Sequence, residues 1–333
     1  MFAAFFHRAV LQAISLLFGC TGEILTEKSG NLNLGIPGIM YVGGISGVVG
    51  GFIYENSLES KDDANWFLAI FIPLICCLVG SLIMGLIYCF LTTTLRANQN
   101  VTGLALTTFG VGLGKYFGGV LIKLVHADVP SVTVSMTSNY YTATFPFAED
   151  LGWFGEMFLS YGFLTYVAII IAVIAAIVLK RTRPGLNLRA VGENPATADA
   201  AGISVTKYKY LATCIGSMIA GLGGLFYVMN NASGVWSNNG LDNIGWLAIA
   251  LVIFTVWKPN FAIIGALLFG ALSIAPYYLS LYEIVDINLR TKPFFDMLPY
   301  IVTVIVLIFN SLRKKRETQP PEALGLSYFR EDR

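Results

Sequence analysis

The sequence predicts an all-α, polytopic membrane protein of about eight to ten transmembrane helices. Three observations carry this. Hydrophobic residues make up 56% of the 333 positions and charged residues only 12%, against roughly 25% charged in a soluble domain. Apolar runs of about the length needed to cross a hydrocarbon core recur along the chain. Lys and Arg crowd into some connections between these runs and are missing from others. The net charge of +1 offers no polyanion-binding surface, so no nucleic-acid partner is expected.

The runs fall near 3–22, 33–54, 66–91, 102–125, 161–180, 208–230, 244–257, 260–282 and 296–312. In the first, Leu17-Phe18-Gly19-Cys20 has the outline of a lipoprotein cleavage box. Phe18 is bulky where such boxes favour small or aliphatic residues, and further spans follow, so the run reads as a first transmembrane helix. The second run is rich in Gly and contains Pro37, which makes it a candidate for a broken or partly re-entrant helix of the kind tolerated when buried in protein. Asn31 and Asn33 precede it, and the amides of a helix starting within the bilayer could face a polar solute. Glu27 and Lys28 stand beside this region and read as a local pair.

The fourth run holds Thr107 and Thr108, polar residues within a span and so candidates for lining a path. It also contains "GVGLGKYF", 110–117. A phosphate loop needs Gly-x-x-x-x-Gly-Lys-Ser/Thr, but Phe109 and Tyr116 occupy the first Gly and the hydroxyl positions, so nucleotide binding is not expected here. The Gly114 to Gly118 spacing, the glycines from Gly43 to Gly51 and the small residues from Gly216 to Gly224 suit close helix packing. The run 244–257 is short for a span. Cys20, Cys76, Cys77, Cys89 and Cys214 lie in or beside apolar runs without metal spacing, and His7 and His126 are far apart, so no metal site is expected. With no nucleophile and base set either, nothing argues for an enzyme active site.

The 180–209 connection carries Lys180, Arg181, Arg183, Arg189, Lys207 and Lys209, whereas 127–160 has no Lys or Arg and holds Asp128, Glu149, Asp150 and Glu156. By the positive-inside rule the first is cytoplasmic and the second external. Arg313-Lys314-Lys315-Arg316 puts the C-terminus inside as well. One membrane domain, 1–312, with a cytoplasmic loop at 181–207, is followed by a tail, 313–333. The tail has no apolar period and reads as loosely ordered.

Within that loop Asn194 is a good N-cap, Pro195 suits the first helical position, Ala196–Ala201 favours helix, and Gly202 fits the residue after a helix end. A helix of about seven residues is expected, roughly 10 Å long. So short a helix is marginal alone and must pack on something. An ordinary connector resting on its own domain and a helix docked in a partner's groove both fit, and periodicity does not choose between them.

"LRAVGENPATADAAGISV", 188–205, resembles the cytoplasmic loop of permease subunits of ABC importers, specifically the branched-chain amino acid/sugar permease superfamily and its nucleoside (BMP-type) members. "LTEKSGNLNLGIPGIMYVGG", "NVTGLALTTFGVGLGKYF", "IGWLAIALVIF", "GALLFG" and "FFDMLPYIVTVIVLI" resemble the same family and occur in its order. Pro37 and Thr107 depart from residues common in the family, so the family does not carry its ligand contacts onto them.

The resemblance implies that 194–202 is a coupling helix docking on a separate ATPase, oriented by Arg189, Glu193 and Asn194, with Pro195, Ala200, Ala201 and Gly202 forming the docked element. It further implies an importer of purine or related nucleosides in a bacterial inner membrane. Simple sugars or branched-chain amino acids are the alternative cargo. The implied partners are an ABC ATPase subunit that uses ATP and Mg, a second permease subunit, an extracytoplasmic substrate-binding lipoprotein and membrane lipids. This chain would bind no cofactor. An ion-coupled transporter is the rival of a different class and would need carboxylates within its spans.

Overall fold

The computed structural model describes residues 2–59, 64–124, 131–146, 152–281, 291–313 and 319–329. His126, the acidic residues Asp128, Glu149 and Asp150, and the cations Lys314, Lys315 and Arg316 lie outside the described residues. The helices in order are α1 (Phe2–Glu27), α2 (Ile36–Ser57), α3 (Trp66–Cys89), α4 (Gln99–Leu124), α5 (Ser135–Thr142), α6 (Gly152–Phe158) and α7 (Phe163–Arg181). They continue with α8 (Arg183–Glu193), α9 (Pro195–Ala200), α10 (Val205–Phe226), α11 (Ile244–Phe254), α12 (Pro259–Leu281), α13 (Lys292–Asp296) and α14 (Leu298–Arg313). Short π-helical turns extend α3 over Phe90–Thr94 and α10 over Tyr227–Asn231.

Eight helical segments among the described residues are long and apolar enough to cross a membrane, and α11 is a shorter apolar helix. These fall on the nine runs read from the sequence. The protein is an all-α, polytopic membrane protein.

α1, α2 and α10 form the buried centre, while α3, α4, α7, α12 and α14 surround it with outward apolar faces. Phe71, Ile75, Val79 and Ile83 on α3 and Ile170, Ile174 and Ile177 on α7 are exposed at helical spacing, as expected where lipid is the solvent. Between spans in hydrocarbon the hydrophobic drive is weak, so association rests on close packing. Glycine supplies it here. A Cβ on Gly43 of α2 would lie 2.5 Å from the Gly221 Cα of α10, and one on Gly22 of α1 would meet the Gly216 carbonyl of α10.

The break considered for the second helix is not there: α2 is continuous from Ile36 to Ser57. Pro37 lies in its first turn, where the missing N–H would have had no intrahelical partner. The chain before it folds back into the bundle. Asn33 N donates to Glu23 Oε1 at 3.1 Å, Leu32 N to Gln99 Oε1 at 2.7 Å, and Tyr88 Oη to the Leu32 carbonyl at 2.5 Å. α2 therefore begins inside the bundle, beside Thr107 of α4, whose hydroxyl donates to the Leu34 carbonyl at 2.7 Å.

The first span also reaches further than its apolar run, so Glu23 and Glu27 sit fully buried in the last turns of α1. Glu27 accepts from Trp257 Nε1, while the charge of Lys28 still acts on it from the next position.

Of the tail, the described residues 319–329 are packed rather than loosely ordered. Residues 319–329 lie across the end of the bundle that carries the connector. Ala323 N donates to the Gly192 carbonyl at 3.0 Å and Gly325 N to the Gly30 carbonyl at 3.2 Å. Gln99 Nε2 donates to the Leu326 carbonyl at 3.3 Å, and Arg96 stacks on the Phe329 ring at 4.6 Å. The strap's backbone donors are shared between its own turn, with Leu324 N on the Pro321 carbonyl and Leu326 N on the Ala323 carbonyl, and the distant carbonyls of Gly192 and Gly30, so it needs no period of its own.

Candidate functional site

α7 ends at Arg181, and Thr182 both closes it and caps α8, accepting from Gly185 N at 3.2 Å. Gly192 lets the end of α8 press on the turn after α1, where a Cβ would meet the Lys28 carbonyl. Asn194 then reverses the chain in extended conformation (φ −148°, ψ 96°), ending α8 and capping α9 by accepting from Thr197 N at 2.9 Å. Pro195 occupies the first turn, and Gly202 follows the helix at φ +82°, a conformation that costs glycine least.

α9 spans six residues, about 9 Å at 1.5 Å per residue. One side is anchored: Ala198 is buried against Val191 of α8 and Val205 of α10. The other side is bare, with Glu193, Asn194, Thr197, Ala200, Ala201 and Gly202 exposed. Arg189 is also exposed; it and Glu193 border a cavity of about 750 Å³ with Lys28, Lys180 and Lys258. Burial lowers the Lys28 pKa from its usual 10.5, and the Glu193 charge opposes that shift.

The polar residues of the spans separate into two groups. Asn31, Asn33 and Thr107 are buried, and each has a partner within the bundle. Asn31 Nδ2 donates to Thr213 Oγ1 at 3.1 Å, and Asn33 Oδ1 accepts from Gly35 N at 2.9 Å. Thr108 is on the exposed face of α4, its hydroxyl bonded to the Leu104 carbonyl at 3.1 Å. Lys115 shares that face, as does Gly112, which has nothing within 4 Å of a built Cβ.

Sequence reasoning missed the segment joining α10 to α11. It runs back along the bundle without regular helix, pinned where Trp236 N donates to the Val132 carbonyl at 2.9 Å. Trp236 is buried between α2 and α4. Asn238, Asn239, Asp242 and Asn243 are exposed beside it. Tyr41 of α2 donates to the Asp242 carboxylate and lies 3.1 Å from the Asn238 carbonyl. The available signal was the polar run Ser237–Asn239 before a run too short to span by itself.

Irregular backbone is turned into the bundle, a capped helix stands bare at one end, and Thr108 and Lys115 stand among apolar residues on the exposed face of α4. The family described as branched-chain amino acid transport system / permease component matches residues 6–307. The chain belongs to this permease family. It is similar to the nucleoside ABC transporter permease NupC of Lactococcus lactis, with 30% identity over 96% of this chain and 95% of that one. The guanosine ABC transporter permease NupQ of Bacillus subtilis is 28% identical over 96% of this chain and 95% of its own. TsgC13 of Haloferax volcanii, named as a candidate glucose ABC transporter permease, is 31% identical over 99% of each chain. No solved structure matches this permease. It is the membrane-embedded permease subunit of an ABC transporter, and not itself an enzyme.

Proposed function

We propose that this permease imports purine or related nucleosides into the bacterial cytoplasm, driven by a separate ATPase that grips α9. The observation that carries the reading is α9 itself: a doubly capped helix anchored through Ala198 and bare at Ala200 and Ala201. A small-residue face admits close approach by a partner. Because Ala198 packs on Val205 at the start of α10, a push on α9 reaches α10, and the glycine contacts of α10 with α1 and α2 pass it to the centre of the bundle.

The cations of the 180–209 connector support a cytoplasmic location for that end, with the C-terminal strap beside it. ATP and Mg belong to the ATPase. Arg189 and Glu193 flank the docked helix and hold its approach. On the opposite side a substrate-binding lipoprotein delivers the solute, and a second permease subunit completes the path. The lining on this chain is the exposed face of α4 with Thr108 and Lys115, together with Asn238, Asn239 and Asp242. Asn31, Asn33 and Thr107 hold α2 in register behind it.

The likeness to NupC and NupQ over nearly the whole chain supports nucleosides as cargo; the likeness to TsgC13 supports a sugar as the second reading. Uptake of a labelled purine nucleoside in cells lacking and then regaining the gene separates them, with unlabelled nucleosides, ribose, glucose and leucine as competitors. Competition by nucleosides alone supports the first reading; competition by a sugar alone replaces it with the second.

A further inference from the structure

A cavity of about 230 Å³ lies where the end of α3, the start of α10 and the strap meet. Thr93, Arg96, Ser204, Thr206, Lys209 and Tyr328 line it. We infer that this cavity is a binding site for a phosphate-sized oxyanion.

Lys209 is only 4% exposed, and its ammonium makes no hydrogen bond or ion pair among the described residues. An unpaired buried charge is strongly unfavourable; an anion held against it would remove that cost. The Thr93 hydroxyl is buried with no partner and can donate to the same oxyanion. The first turn of α10, a helix of 22 residues, opens on the cavity through Ser204, Val205 and Thr206, and the Ser204 side chain does not cap it. Its first amides are therefore unclaimed, and the positive end of the helix dipole adds to their pull on an anion. Arg96 also lines the cavity, with its guanidinium over the Phe329 ring.

Among the described residues Asp199 is the one acidic side chain lining the cavity. Its Oδ2 accepts from Tyr328 Oη at 2.8 Å, which leaves two cations facing the space against one engaged carboxylate. A water takes about 30 Å³ of liquid volume, so the space suits a phosphate group with a few waters. Leu95 and Leu211 are exposed nearby, so the group can arrive either free in solution or on a phospholipid. In both cases it sits under the Tyr328–Asp199 bond and joins the strap to the coupling segment.

The test is thermal unfolding of the full-length purified protein, titrated with inorganic phosphate against chloride at matched ionic strength. A parallel arm uses phosphatidylglycerol or phosphatidylcholine vesicles without free phosphate. A saturable rise in Tm is expected with phosphate, with the anionic vesicles, or with both, and which one works identifies the source. Lys209→Met and Thr93→Val should each unfold cooperatively and weaken the effect, Lys209→Met by at least about tenfold in apparent Kd. If Lys209→Met does not fold, Thr93→Val with Lys209→Arg replaces it, the first weakening and the second retaining the response. No Tm rise with either probe, or equal rises in the wild type and the variants, overturns the inference.

Discussion

The Tyr328 hydroxyl donates to Asp199 Oδ2 at 2.8 Å, tying the strap to the helix that the protein offers outward. With Ala323 bonded to the end of α8 at Gly192 and Gly325 to the turn at Gly30, the strap spans both connections at this end of the bundle. Tyr328→Phe removes one hydrogen bond, worth about 0.5–1.5 kcal/mol. Cleavage within 319–329 in limited proteolysis should become roughly three- to tenfold faster, while the spans stay resistant.

Asn194 stands at the junction of α8 and α9 and accepts from Thr197 N. Asn194→Ala should cost about 1 kcal/mol locally. Because the loss falls on α9 alone, amide exchange at 195–201 should speed up while the melting temperature of the whole protein barely moves.

The close approach of α2 to α10 sets a sharp contrast among glycines. Gly43→Val and Gly221→Val drive side chains into facing backbone or into Ser81 and should cost about 1–3 kcal/mol or more, read as loss of monodisperse protein in detergent. Gly112→Ala and Gly119→Ala meet nothing within 4 Å and should leave the yield intact and hold or slightly raise the melting temperature, since Ala is the better helix former.

Lys28 carries a lowered pKa because burial disfavours its charge. Below that folded-state value the residue is charged in both states, so folding bears the full cost of burying the charge. As pH rises through it toward 10.5, the cost is relieved. Lys28→Met should therefore be more stable than the wild type at neutral pH, with the gap narrowing as pH rises. Glu193→Gln removes the opposing charge and should lower the stability of the wild-type Lys28 protein at neutral pH. Urea or thermal melts across that range read both.

Asp242 sits exposed on irregular backbone and accepts from Tyr41 of α2. Asp242→Asn keeps the size and an acceptor but loses the charge. Transport should fall while the protein inserts and melts as the wild type does, whereas equal uptake would remove Asp242 from the path.

The spans were legible in the sequence because lipid imposes one rule, a long apolar run, on every helix facing it. α9 was legible too, since Asn194, Pro195 and Gly202 each obey local backbone rules that need no tertiary context. Three features were not. Pro37 reads as a breaker unless the start of α2 is known, and that start is set by Glu23, Gln99 and Tyr88, each bonded to the 32–33 segment. The strap has no period because it is held by a turn of its own and by bonds to the distant carbonyls of Gly192 and Gly30. The cavity at Lys209 needs the end of α3, the start of α10 and Tyr328 together, residues more than 200 positions apart between Thr93 and Tyr328.

In the proposed mechanism α9 receives the stroke of an ATPase through its bare alanine face. The direct test is to reconstitute the permease in proteoliposomes with its ATPase, second permease subunit and binding protein, and to follow ATP hydrolysis and labelled nucleoside uptake in the same samples. Wild type is compared with Ala201→Arg. The variant should insert and still hydrolyse ATP, while uptake drops to background because the two are no longer coupled. Uptake equal to the wild type at equal hydrolysis would rule out α9 as the coupling element.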